Sequence, residues 1–195
     1  VGSEMCIRDR KIPPNEPIKI LTVGRLIEKK GYEYAIKAVA KLIAKHYNIL
    51  YIIVGDGVLR NKLELLVSKF KIENYVKFLG AVEEEELLKL YQKAHIFILP
   101  SITARNGDQE GIPIVLMEAQ ACGLPIISTY HSGIPEVVIN GKTGFLVPER
   151  DENALVEKIE YLINHPDLLA EMGRNGRAFI EIKYNKKTKK EMKND

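Results

Sequence analysis

The sequence has no tryptophan, two cysteines and four histidines in 195 residues. Cys6 and Cys122 stand far apart with no C-x-x-C pair, which excludes a disulfide scaffold and a dithiol redox motif and fits a reducing cytosol. His46, His95, His131 and His165 have neither the spacing nor the partners of a metal site, so no metal is assigned. The six aspartates never fall two apart, so there is no D-x-D to hold a divalent cation on a diphosphate. A G-x-x-x-x-G-K-[ST] loop is absent, as is a serine or cysteine in a nucleophile elbow. The longest apolar runs, ILYIIV (49–54) and IPIVLM (112–117), reach about a third of the roughly 20 residues a spanning helix needs. The first ten residues, VGSEMCIRDR, contain no apolar core of a signal peptide.

What is present is a globular balance: 46% hydrophobic and 28% charged residues exclude disorder and fibrous classes. The net charge of +3 is unevenly placed. Residues 183–195 carry six lysines against Glu191 and Asp195, an excess of four, which leaves the other 182 residues at −1. A basic tail on a near-neutral body argues against a nucleic-acid partner. The tail reads as a solvated terminus, with peripheral contact to a membrane surface or another domain as the alternative. Residues 1–17 lack periodicity and end in PPNEP (13–17), and they read as a disordered or non-native lead-in. Because the chain starts with Val, a fragment of a longer protein is expected.

From Ile18 onward short apolar runs alternate with helical periodicity. Strands are expected at 18–24, 49–55, 75–80, 95–101, 124–129 and 144–147. Helices follow from the spacing of Ile36, Val39, Ala40 and Ile43, of Leu59, Leu63, Leu66 and Phe70, and of Leu87, Leu88 and Tyr91. A helix over 112–122 has Pro113 in its first turn and ends at Gly123. Asp151 caps a helix with Leu155, Ile159 and Leu162 facing inward, and Pro166 opens a last one that carries Leu169, Met172 and Phe179. Strands this apolar, alternating with helices, predict an α/β fold: a Rossmann-like parallel sheet with helices on both faces, spanning 18–182. Ligands of such sheets sit beyond the carboxyl ends of the strands, which selects the loops at 24–31, 55–57, 80–82, 101–114 and 129–136.

Two of these loops carry candidate ligand-binding side chains. In GRLIEKKG (24–31), Arg25 and Lys30 suit a diphosphate, although a solvated loop would look the same. In EGIPIVLME (110–118), Glu110 precedes a helix and Glu118 lies about 9 Å along it if the helix starts near Ile112. The helix N-terminus between them favours an anion, and either carboxylate can accept paired sugar hydroxyls. A capping Glu110 and a solvated Glu118 are the plainer alternative. The VGDG turn (54–57) is not a dinucleotide fingerprint: Arg60 stands where the third glycine belongs, and the next strand ends in Gly80 rather than an acid. His131 and Ser132, adjacent in HSGIPE (131–136), are read as part of a ligand-edge loop and not as a catalytic pair.

The ordered set GRLIEKKG, VGDG, VKFLGAV, LPS…EGIPIVLMEAQACGLPIIST and HSGIPEVVINGKTGFLVP resembles the C-terminal, donor-binding lobe of group 1 (family 4) retaining glycosyltransferases of the GT-B fold. The likeness runs from about Ile18 to about Phe179, and the loop 102–111 with HSGIPE is most similar to exopolysaccharide types such as those of colanic acid synthesis. The resemblance implies that Arg25 and Lys30 bind the donor diphosphate, that Glu110 faces the donor sugar and that Glu118 holds the ribose. It implies backbone contacts to phosphate at Gly111, Ile112, Pro113 and Ile114, a lining contribution from Gly24, and a nucleobase border at Gly80 and Val82. It further implies hexosyl transfer with retention from a UDP-sugar or GDP-sugar, uridine being the first expectation. No metal or other cofactor is implied. The acceptor, a glycan or lipid-linked sugar, would be held by a missing N-terminal lobe, and the enzyme would work in the cytoplasm at the inner face of the membrane. The alternatives are a non-catalytic nucleotide-sugar binding module, or another GT-B enzyme such as an epimerase or phosphorylase.

Overall fold

A computed structural model describes residues 15–184. Most of the expected lead-in (residues 1–14) and nearly all of the basic tail (residues 185–195) lie outside the described residues. Six strands, β1 (Ile18–Val23), β2 (Ile49–Val54), β3 (Val76–Gly80), β4 (Ile96–Leu99), β5 (Ile126–Thr129) and β6 (Gly144–Val147), form one sheet in the order β3-β2-β1-β4-β5-β6. Every pairing is parallel. The helices are α1 (Tyr32–Ala44), α2 (Arg60–Lys69), α3 (Glu84–Lys93), α4 (Ile114–Ala121), α5 (Glu152–Asn164) and α6 (Pro166–Tyr184).

The apolar strands explain the layering. Ile20, Ile53, Ile98 and Ile127 bury one face against α1, α2 and α5, while Leu21, Val54, Leu99 and Ile126 bury the other against α3 and α4. Alternate residues of one strand thus serve two cores and the inner strands are largely buried on both faces, while the edge strand β3 alternates, with Lys77 exposed between Val76 and Phe78. The sheet is the Rossmann-like α/β arrangement expected from the sequence.

Some inward faces differ from expectation. Leu88 is 45% exposed, because α3 presents Leu87, Leu90 and Tyr91, one stripe at i, i+3, i+4, from which Leu88 is turned by about 100°. On α6, Leu169, Met172 and Ile180 are buried, and Phe179 is half-buried under the Lys183 ammonium. Helix α4 starts at Ile114, two residues later than expected, with Pro113 at its N-cap in an extended conformation (φ −67°, ψ 117°). The proline ring still costs no helical hydrogen bond there, since the N-cap N–H is not used by the helix.

Strand order reverses direction between β1 and β4, so the loops leaving those two strands part around a crevice. Gly31 makes the crevice possible. It ends the 3-10 turn Glu28–Lys30 and caps α1 with φ 68°, and a Cβ on it would stand 1.8 Å from the Pro100 carbonyl oxygen. Only glycine lets the β1 loop come this close to the end of β4. The VGDG turn is also a close approach, as a Cβ on Gly55 would lie 2.1 Å from the Gly24 carbonyl oxygen.

Candidate functional site

The two charged loops meet at this crevice. Lys30 Nζ lies 2.9 Å from Glu110 Oε2, and both side chains are mostly buried, at 12% and 8% exposure. Glu110 Oε1 is buried too, but no hydrogen bond reaches it; Lys29 Nζ lies 3.9 Å away. A buried carboxylate oxygen with an open lone pair is costly unless a ligand fills it. Arg25 is exposed in the same loop and makes no ion pair among the described residues. Gly24 is half-buried, and its carbonyl accepts a hydrogen bond from the Tyr32 hydroxyl at 2.7 Å. Burial, with Tyr51 and Glu110 nearby, pushes the Tyr32 hydroxyl well above its ordinary range, so it stays a neutral donor.

Below Glu110 the chain enters α4, whose N-terminus no side chain caps. Pro113 is buried, while Gly111, Ile112 and Ile114 are exposed, the isoleucines at 37% and 66%. Glu118 is exposed in α4, four residues from its start, with its Oε2 accepting from the Tyr91 hydroxyl of α3 at 2.9 Å. Burial and the Glu118 carboxylate hold that phenol protonated, far above its ordinary range. Gly80 ends β3 with φ 71°, its carbonyl accepting from Gly55 N–H at 2.7 Å, and Val82 packs half-buried beside α3. The structure therefore brings Lys30 and Glu110 into contact; Gly24, Arg25, Val82 and residues 111–113 lie in loops, Gly80 ends β3, and Ile114 and Glu118 lie in α4.

Four side chains of this edge were given no individual site role from sequence. Lys29 joins the β1 loop to the β4 loop through Asp108 Oδ1 and the Gln109 carbonyl, both at 3.0 Å. Tyr91 orients Glu118. His131, 2% exposed in the loop after β5, accepts the Glu110 N–H on Nε2 at 3.0 Å. Its Nδ1 lies 2.6 Å from Oε1 of Glu149, which follows β6. The sequence signals were present, in two adjacent lysines and a histidine on a selected loop, but they do not say which side chain turns inward.

The family model described as "Glycosyl transferases group 1" matches residues 6–179. The chain belongs to the group 1 glycosyl transferases. Two exopolysaccharide relatives support the subgroup. WcaL of Escherichia coli (strain K12), named for colanic acid biosynthesis, is 39% identical over 173 residues, covering 88% of this chain and 43% of its own. The amylovoran biosynthesis glycosyltransferase AmsK of Erwinia amylovora is 39% identical over 171 residues, covering 88% of this chain and 42% of its own. Among solved structures, sucrose-phosphate synthase from Thermosynechococcus elongatus superposes with a TM-score of 0.80 at 29% identity, over 94% of this chain and 45% of that one. The group 1 domain described here thus spans less than half the length of the curated relatives it matches. Among the described residues no helix is long and apolar enough to cross a membrane, and no cluster of three or more His, Cys, Asp or Glu could hold a metal ion.

Proposed function

We propose that this domain is the donor-binding half of a glycosyltransferase that moves a hexosyl group from a nucleotide diphosphate sugar to a glycan or lipid-linked acceptor, with retention at the anomeric carbon. The observation that carries the reading is the open Oε1 of buried Glu110 beside the Lys30 ammonium. It offers one acceptor for a sugar hydroxyl and one cation for a phosphate, side by side at the switch point of the sheet. In the step proposed, the bond from the anomeric carbon to the diphosphate oxygen breaks, and a bond to an acceptor hydroxyl oxygen forms. The hydroxyl proton passes to the departing diphosphate or to water. Charge then grows on the leaving diphosphate, where Arg25, Lys30 and the N-terminus of α4 would stabilise it. Gly24 would line the site, backbone at Gly111, Ile112, Pro113 and Ile114 would meet the phosphates, Glu118 the ribose, and Gly80 and Val82 the base. Side-chain cations and the helix terminus supply the positive charge, so the reading calls for no metal or other cofactor. The acceptor would be held by the part of the relatives' length that this chain does not span, and the enzyme would act in the cytoplasm at the membrane's inner face.

The test is a melting-shift and calorimetric panel of UDP, GDP, UDP-glucose, UDP-galactose and GDP-mannose on the 195-residue chain. A ligand that binds the native state raises the melting temperature. A shift with at least one nucleoside diphosphate, and a larger one with a matching sugar nucleotide, is expected. No shift with any of the five overturns the reading.

A further inference from the structure

The side chains at the carboxyl edge form a chain in the same order as the strands they follow. Lys30 leaves β1, Glu110 precedes α4 after β4, His131 follows β5 and Glu149 follows β6, and β1, β4, β5 and β6 are successive neighbours in the sheet. Each link is a direct contact: 2.9 Å from Lys30 to Glu110 Oε2, 3.0 Å from Glu110 N–H to His131 Nε2, and 2.6 Å from His131 Nδ1 to Glu149 Oε1. A backbone N–H can only donate, so Nε2 must be the accepting nitrogen. The ring proton therefore sits on Nδ1 and is given to Glu149.

Glu149 also acts on the same loop from its other end. Its Oε2 accepts the Thr103 N–H at 2.9 Å, while Arg150 donates to the Thr103 carbonyl. Residues 103 and 110 bracket the irregular loop after β4, so one Glu149–His131 unit fixes both of its ends. The backbone around the unit is held in an uncommon conformation. Among the described residues four non-glycines have positive φ: His46 and Lys71 follow the ends of α1 and α2, whereas Ser132 (φ 44°) and Arg150 (φ 62°) each directly follow a member of this unit. Such conformations persist where the surroundings over-determine them. The same loop packs against the α4 entry, where a Cβ on Gly133 would lie 2.7 Å from Ile112 Cγ1.

We propose that His131 is a positioning residue for donor-sugar recognition. Held by Glu149 in its Nδ1–H form, it fixes the Glu110 backbone so that Oε2 meets Lys30 and Oε1 stays open for a sugar hydroxyl. This rests on the reading of Glu110 as the group that faces the sugar. His131 itself touches no substrate, and its effect travels through one hydrogen bond.

The test compares each sugar nucleotide of the panel with its parent nucleoside diphosphate, by calorimetry on the whole chain. His131→Ala leaves the Glu110 N–H without its acceptor and should weaken the sugar nucleotide about tenfold, while the parent diphosphate binds no more weakly than to the wild type. His131→Gln can place Oε1 near the position of Nε2 and should recover most of that loss. Equal weakening of both ligands, weakening of neither, or a folded Gln variant without recovery overturns the inference and leaves the donor site standing. A wild-type chain that binds none of the panel overturns the donor site and this inference together. A second measurement needs no variant: the ring ¹⁵N spectrum of His131 should show a protonated Nδ1 and a bare Nε2, and the opposite tautomer overturns the assignment.

Discussion

At the scale of single residues, the site is a balance between one cation and one carboxylate. Lys30 is neutralised by Glu110, so a diphosphate bound there, as proposed, would compete with a partner already in place. Glu110→Gln removes that competitor. It should bind UDP or GDP several-fold more tightly, a gain on the order of 1 kcal/mol, yet lose the extra affinity conferred by a sugar. Calorimetry with both ligand classes checks this, and weaker binding of the bare diphosphate would show that Glu110 does not hold Lys30 back. Lys30→Ala removes the cation instead. Turnover of the full-length enzyme should fall about 100-fold, or about 3 kcal/mol at the transition state, with a smaller change in unfolding free energy. Parallel loss of stability and activity would make Lys30 a structural residue. Lys30 and Glu110 were legible as candidates because they lie in loops that the strand pattern selects, and Glu118 because it stands eight residues beyond Glu110 on the helix that follows. His131 was not, since its role depends on a proton position that only the surrounding partners determine.

At the scale of elements, the crevice depends on how closely two loops run. Gly31 and Gly107 separate the two costs of replacing a glycine. Both have positive φ, 68° and 83°, but a Cβ on Gly31 would strike the Pro100 carbonyl at 1.8 Å, whereas nothing lies within 4 Å of one on Gly107. Gly107→Ala should cost about 1 kcal/mol in a denaturant titration, the conformational part alone. Gly31→Ala should cost more than about 3 kcal/mol, because backbone must move on one side or the other. Equal costs would mean that the β1 loop can swing away from β4 freely. The strands and most helices were readable because apolar runs and i, i+3, i+4 spacing report burial directly. The start of α4 was not: IPIVLM is apolar throughout, so its pattern does not mark where extended chain becomes helix, and Pro113 is compatible with the N-cap as well as with the first turn. Leu88 was misplaced inward for a related reason, as it adjoins Leu87, which takes the core-facing position.

At the scale of the whole molecule, the parallel sheet places four consecutive post-strand loops along one edge, and the contacts from Lys30 through Glu149 join them into a single network. The network should make stability depend on pH in a defined direction. Burial alone would raise the Glu149 pKa, but the Thr103 N–H, the His131 ring and Arg150 together outweigh it and hold the carboxyl below its ordinary value of 4.5. The unfolded chain therefore binds this proton more readily than the folded one. The Glu149 contribution is fully present above the unfolded value and is lost as pH falls from there through the lowered folded value. Glu149→Gln should accordingly be less stable than the wild type near neutrality, and the gap should narrow as pH drops from about 5 to about 3. Glu33 also titrates low, through its hydrogen bond to Lys37, but it is common to both proteins and cancels in their difference. Denaturant titrations of the pair across this range decide the matter. A gap that stays constant would show that the ionised carboxylate of Glu149 does not hold the edge together, and that the His131 link owes its geometry to the backbone alone.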